Sequence, residues 1–149
     1  MKKPHLLLVA ALLIAPAVLF AQPKKDRPDT DIEKDMHKIG RAYRQLRKQV
    51  NDSAQNASSL ELLAAIKAGA LDARTHTPLK SGDVPEPDRA AFAASFQKRM
   101  DEFVAAVDQL EEALKAGNNA EAARLAGELD RLQKTDHKEF RRPEKDEKK

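Results

Sequence analysis

Beyond residue 29 the chain is a succession of apolar stripes at helical spacing, separated by polar breaks. Ile32, Met36, Ile39, Tyr43, Leu46 and Val50 step by 4, 3, 4, 3 and 4 positions, which puts them on one face of an α-helix for five turns. Thr30-Asp31-Ile32-Glu33 stands just before them as a capping box, in which the first hydroxyl and the fourth carboxylate satisfy each other's backbone N–H groups. The polar stretch 51–58 ends that stripe. Ser58-Ser59-Leu60-Glu61 offers a second capping box, followed by Leu62, Leu63, Ile66, Ala70 and Leu71 on or near one face. This second helix must stop by Thr77, because Pro78 follows.

Pro78, Gly82, Pro85 and Pro87 make 78–87 a loop. Asp88 is placed to cap a third helix through Phe92, Phe96, Met100, Phe103, Val104, Val107, Leu110 and Leu114. Gly117 fits the position just past its end. Asn118 and Glu121 start a fourth, with Ala122, Leu125, Leu129, Leu132 and Phe140 on its stripe. No strand pattern and no internal repeat is present. Each helix has one apolar face and is unstable alone, whereas packing four together removes every stripe from water at roughly 25 cal/mol per Å² buried. Two short connections and one longer one predict an all-α fold, an antiparallel up-down-up-down four-helix bundle over residues 30–142.

The first 21 residues have a different character. Lys2 and Lys3 precede an apolar run from Leu6 to Ala21 that Pro16 interrupts, and no acid occurs before Asp26. The run is short for a membrane span and has the form of a secretory signal peptide, with cleavage expected after Ala21. Residues 22–29, with Pro23 and Pro28, read as a flexible lead-in, and 143–149 as a charged disordered tail. The prediction is an exported protein without stable membrane association once the signal is removed.

Composition narrows the chemistry. The chain has 149 residues, Lys+Arg 27 against Asp+Glu 24, four His and no Cys. Without Cys there are no disulfides, thiolate metal sites, iron–sulfur clusters or covalently attached haem. A formal net charge of +3 is too small to suggest nucleic acid as a partner. A di-iron carboxylate bundle needs Glu-x-x-His on two helices, and the sequence has no such motif. Glu33/His37 and Asp72/His76 are i,i+4 pairs whose plain reading is surface hydrogen bonding. No phosphate-binding glycine loop or nucleophile–His–acid set can be placed, so no enzyme activity is expected.

The two ends of such a bundle differ. Met36 lies six residues past Thr30 and His137 six before Pro143, so each sits roughly 9 Å from the end crossed by the 78–87 loop. Phe92, Phe96 and Phe140 gather at that end, while Leu, Val and Ala fill the other. A lone Met in a stripe is ordinarily a gap-filler. A lone His near a helix C-terminus is ordinarily a surface cation. Together, at matching depth and among large apolar groups, a thioether and an imidazole also suit a haem iron held from both faces.

These segments resemble the cytochrome b562 family. Asp31-Ile32-Glu33-Lys34-Asp35-Met36 is similar to the stretch carrying that family's Met ligand. Ala70-Leu71-Asp72-Ala73 with Thr77-Pro78 and Lys80 is similar to the end of its second helix. From Phe96 through Met100 to His137 and Arg141 the last two helices align without a gap. The resemblance covers about 31–142, with a slightly longer first connection and loop, and with Met100 where an aromatic pocket residue is usual. It implies one non-covalent haem b with Met36 and His137 as axial ligands, and Ile39, Tyr43, Ile66, Phe96 and Met100 as pocket walls. Arg141, one turn beyond His137, is placed for a haem propionate. The implied function is electron transfer in the periplasm by a monomer that meets unidentified redox proteins. The alternative is a haem-free exported helical protein that binds through its bundle faces.

Overall fold

A computed structural model of the chain describes residues 30–142. The expected export segment at 1–21, lead-in at 22–29 and tail at 143–149 lie outside the described residues. Four helices run in order: α1 Asp31–Gln49, α2 Asn56–Arg74, α3 Arg89–Lys115 and α4 Asn119–Phe140. No strand occurs among the described residues. Consecutive helices pack against each other, α1 on α2, α2 on α3 and α3 on α4, while α1 and α4 approach far less closely along their backbones. The fold is the expected all-α four-helix bundle.

Helix ends follow the local chemistry closely. At the start of α1 the backbone N–H and hydroxyl of Thr30 donate to the Glu33 carboxylate at 2.9 and 3.0 Å, completing the capping box. Gly117 adopts φ +70°, a conformation that costs a side-chain-bearing residue about 1 kcal/mol or more. There its N–H reaches the Leu114 carbonyl and the Asn118 N–H reaches that of Ala113, the double bond that closes α3. The Asn118 side chain then accepts from Glu121 N–H to open α4.

Three local expectations fail. The second helix begins at Asn56, not at a 58–61 capping box, because Asp52 caps a 3₁₀ turn over Ser53–Gln55 that leads straight into it. Ser58 and Ser59 instead meet the Gln49 amide at 2.7 and 3.0 Å. Leu71, expected near the apolar face of α2, is 46% exposed, since Ala70 and Ala73 take the inward positions. Asp88 sits at the N-cap of α3 but makes no side-chain capping bond; the 3₁₀ turn Glu86–Asp88 feeds the helix instead.

The loop at 78–88 is also more ordered than its prolines and glycine suggest. Its 3₁₀ turn Leu79–Asp83 packs on α3 and α4. Lys80 donates to the carbonyls of Glu139 at 2.5 Å and Lys138 at 3.3 Å, and Arg142 grips the Asp83 carboxylate with two bonds of 2.9 and 3.0 Å. A cation thus rests on the carbonyl-rich end of α4, where the helix dipole favours it.

The core runs through all four helices. Leu46, Leu63, Ile66, Leu110, Leu114 and Leu129 are fully enclosed, each contributing about 1.5–3 kcal/mol by burial. Gly69 marks where α1 and α2 come closest, since a Cβ there would stand 2.9 Å from Ile39 Cγ1. Gly127, exposed on α4, has nothing within 4 Å of such a Cβ. Replacing Gly by Ala inside a helix normally gains about 1 kcal/mol. Gly127→Ala is therefore expected to gain about 1 kcal/mol, which raises the urea midpoint by about 0.5 M. Gly69→Ala, which must push Ile39 off its seat, is expected to lower it. Equal gains in the two variants would show that the α1–α2 approach is not tight.

Candidate functional site

The site is defined by the seam between α1 and α4. Three polar links tie the half of α1 near its C-terminus to α4. The Tyr43 hydroxyl donates to the Ala126 carbonyl at 2.5 Å, Arg47 meets Asp130 at 3.4 Å, and Asn119 donates to the Val50 carbonyl at 2.8 Å. Met36 lies seven residues before Tyr43 and eleven before Arg47. His137 lies eleven after Ala126 and seven after Asp130. Steps of seven and eleven return to nearly the same side of a helix, so Met36 and His137 share the flanks that α1 and α4 turn toward each other.

Their height follows from the same pairs. Measured from Tyr43–Ala126 His137 overshoots Met36 by about one turn, and measured from Arg47–Asp130 it falls short by about one turn. The two residues therefore lie within a turn of the same level, at the end crossed by the 78–88 loop. Side chains of a helix lean toward its own N-terminus. In an antiparallel pair Met36 leans one way along the seam and His137 the other.

The two side chains sit in different surroundings. Met36 is half-buried and packs on the core. His137, expected at the edge of its stripe, is exposed on its outer side. Protein packed around its other side strips enough water to lower its pKa below the usual imidazole value, and the nearby Arg141 cation lowers it further. At neutral pH the ring is neutral and keeps a lone pair for donation. Arg141 itself is exposed, at the C-cap of α4.

Ile39, Tyr43, Ile66, Phe96 and Met100 are all buried in one continuous core, against which Ile32 and Met36 pack. The three aromatics form the expected cluster. The Phe140 ring centroid lies 5.2 Å from Phe92 and 5.4 Å from Phe96 in tilted and edge-on contacts. Phe140 is on the same helix as His137, three residues on, and it anchors that last turn from inside while Lys80 holds it from outside.

Other polar groups lie elsewhere. His76 does not simply pair with Asp72; its Nε2 is 3.4 Å from the Asp35 carboxylate on α1. Asp35 is buried and also accepts from Lys38 at 3.0 Å. Glu33 is engaged by Thr30 in the cap. A surface depression of about 350 Å³ on the α1–α2 side is lined by Asp31, Asp35, Asp72 and His76 among others, and one of about 450 Å³ lies between α3 and α4 around Asp108, Glu121 and Arg124. Both lie at the surface away from the α1–α4 seam. Among the described residues no group of three or more His, Asp or Glu is arranged to hold a metal ion. Met36 and His137 supply two donors, too few by themselves for a closed all-protein metal site.

The grip of Lys80 and Asp83 on the end of α4 and the buried Asp35 were not foreseen. Their partners are 59 positions away or on another helix, and neither breaks the local pattern.

The Tyr43 link can be checked directly, because the chain contains one tyrosine. Burial pushes its phenol up to about 12 and Asp130 adds to the shift, while Arg47 opposes it. Ultraviolet titration of the folded protein should therefore give tyrosine ionisation near pH 12 rather than 10. Because the unfolded chain loses that proton first, stability should be full below pH 10 and fall as pH rises toward 12. Arg47→Ala should move the ionisation still higher. A midpoint near 10 would mean that the α1–α4 link is open in solution.

No curated protein matches this chain. Residues 31–141 match a family model described as Cytochrome b562, a span that begins with α1 and ends one residue past α4. That family's proteins are periplasmic haem-binding electron carriers built as helical bundles. With most of its length and all four helices inside the match, the chain belongs to the cytochrome b562 family.

Proposed function

We propose that the chain carries one non-covalent haem b in the α1–α4 seam, bound by the Met36 sulfur and a His137 ring nitrogen, and serves as a periplasmic electron carrier. The observation that supports this most is the placement of a thioether and a neutral imidazole on facing flanks of α1 and α4 at nearly one level. The chemistry of the donor set fits haem iron, which takes soft sulfur and imidazole axial ligands. Of the helices that are neighbours around the bundle, α1 and α4 approach least closely along their backbones, which suits a flat macrocycle between them.

The chain's own residues then have distinct tasks. Met36 and His137 would hold the haem iron, which would supply one-electron exchange rather than bond-making chemistry, so the reading is of a carrier rather than an enzyme. Ile39, Tyr43, Ile66, Phe96 and Met100 provide the apolar wall that excludes water. Arg141, exposed beside His137, is placed to meet a propionate. Lys80 and Phe140 hold the last turn of α4, and with it the His137 ring. Haem, when bound, supplies one-electron exchange between ferrous and ferric iron. A thioether ligand favours the ferrous form relative to a second imidazole.

The apolar segment at 1–21 supports export, and no helix among the described residues is long and apolar enough to cross a membrane. The stripes are used up inside the bundle; Leu71 is the one large hydrophobic group exposed among the described residues. That favours a monomeric carrier over a haem-free binder, which would need an apolar docking face, and redox proteins are the partners this role requires.

Spectroscopy of the mature chain prepared with haem tests the assignment. Wild type should give a six-coordinate low-spin spectrum in both oxidation states. Met36→Ala and His137→Ala should each lose it, and Met36→His should lower the reduction potential. If neither alanine variant changes the spectrum, the ligands must be sought among His37, His76 and Met100. If wild type takes up no haem, the haem-free reading replaces this one.

A further inference from the structure

On α2, α3 and α4 basic side chains are mostly paired. Lys67 meets Asp108, Arg74 meets Asp101, Arg99 meets Glu102, Lys115 meets Glu111, Arg124 meets Glu121, and Lys134 meets Asp130. Helix α1 is different. Between Asp35 and Asp52 it has Lys38, Arg41, Arg44, Arg47 and Lys48 and no acid at all. Lys38 is held by Asp35, and Arg47 reaches across the seam to Asp130. Arg41, Arg44 and Lys48 are exposed and make no ion pair among the described residues.

The spacing of these three is 3 and 4, so they line up along the back of α1, opposite the apolar stripe that faces the core. Core packing explains the inward face of α1, but no acid among the described residues pairs with the three cations on its outer face. They repel one another at helical spacing. Arg47, three residues on from Arg44 and paired with Asp130 across the seam, joins this back to the flank that carries Met36. Lys138, exposed on α4 next to His137 and without an ion pair among the described residues, extends the positive rim across the seam.

We propose that the outer face of α1, centred on Arg41, Arg44 and Lys48, is the docking surface for an electron-transfer partner with a carboxylate-rich patch around its own redox centre. The proposal rests on the electron-carrier reading above. Nearly balanced overall charge with a one-signed face beside the redox seam orients an encounter without strong binding, as a carrier that must leave again requires. The same cations suit an anionic lipid surface less well. Three cations attract such a surface only weakly, and the exposed side of α1 has no large apolar residue to insert.

The test uses the ferrous holoprotein and an acidic-patch plastocyanin as probe. Wild type is compared with the triple variant Arg41→Glu/Arg44→Glu/Lys48→Glu and with Lys98→Glu on the diagonal helix α3. All three should keep wild-type helicity and haem spectra, since the changed side chains are exposed. The wild-type second-order rate should fall steeply as salt rises from about 10 to 300 mM, across the range where screening takes hold. The triple variant should be slower by at least about tenfold at low salt, with its salt dependence flattened or inverted, and Lys98→Glu should stay close to wild type.

Equal rates for wild type and triple variant would overturn the proposal. So would cosedimentation with phosphatidylglycerol vesicles that the triple variant loses while its rate with plastocyanin is unchanged. Backbone amide shifts on adding redox-inactive plastocyanin give a readout independent of haem. Shifts confined to α1 and its rim support the surface, and shifts elsewhere or none refute it. If haem is not taken up, the carrier reading fails, and these amide shifts still decide the docking face.

Discussion

The seam between the first and last helices is the constraint on which the rest of the molecule turns. It is the one side of the bundle whose two helices meet without a connecting loop, and it is joined unevenly. Tyr43, Arg47 and Asn119 fasten it toward the end where α1 finishes and α4 begins. Those fastenings limit the register, and the register brings Met36 and His137 within a turn of one level farther along. A hydrogen bond from a buried phenol is well suited to this task. Leaving either the hydroxyl or the carbonyl unpaired in the core would cost about 1–3 kcal/mol, so the pairing resists slippage along the seam.

At the other end of the seam, a different device keeps His137 in place. A histidine in the last turn of a helix would ordinarily fray with it, because the final carbonyls have no partners within the helix. Here Lys80 supplies partners from the loop, Asp83 holds Arg142 just past the helix, and Phe140 is packed between Phe92 and Phe96. The loop between α2 and α3 thereby positions a side chain on α4 that it does not resemble or precede in sequence. The surroundings that steady His137 also lower its pKa, by partial loss of water and by the Arg141 charge. Support and availability of the nitrogen lone pair come from one arrangement.

Helix α1 divides its circumference among three roles. One side carries Ile39 and Leu46 into the core and lies so close to α2 that residue 69 has no room for a side chain. A flank carries Met36, Tyr43 and Arg47 to the seam. The back carries cations without acids. The other helices, whose cations are largely neutralised by neighbouring carboxylates, lack this third component. The concentration of unpaired charge on the helix that also presents Met36 ties surface electrostatics to the seam in a way that neither packing nor solubility demands.

Much of this was legible along the chain. The 3–4 spacing of apolar residues, the Thr30–Glu33 box, Gly117 and Asn118 determine four helices and their ends, because those signals act within one or two turns. Length and loop size then leave an antiparallel bundle as the economical way to bury four stripes, and the order of Met36, Phe96, Met100 and His137 carries the family resemblance. Where the reading failed, the competing forces were also local but weaker. Asp52 started a 3₁₀ turn ahead of α2, and two alanines displaced Leu71 from the core. What the sequence alone could not settle is which flank each helix turns toward its neighbour. That depended on contacts between residues far apart in the chain: Tyr43 with Ala126, Lys80 with the carbonyls of α4, Asp35 with His76, and the pairing that leaves Arg41, Arg44 and Lys48 without ion-pair partners among the described residues. Spacing fixes the faces of a helix, whereas only packing in three dimensions chooses what each face meets.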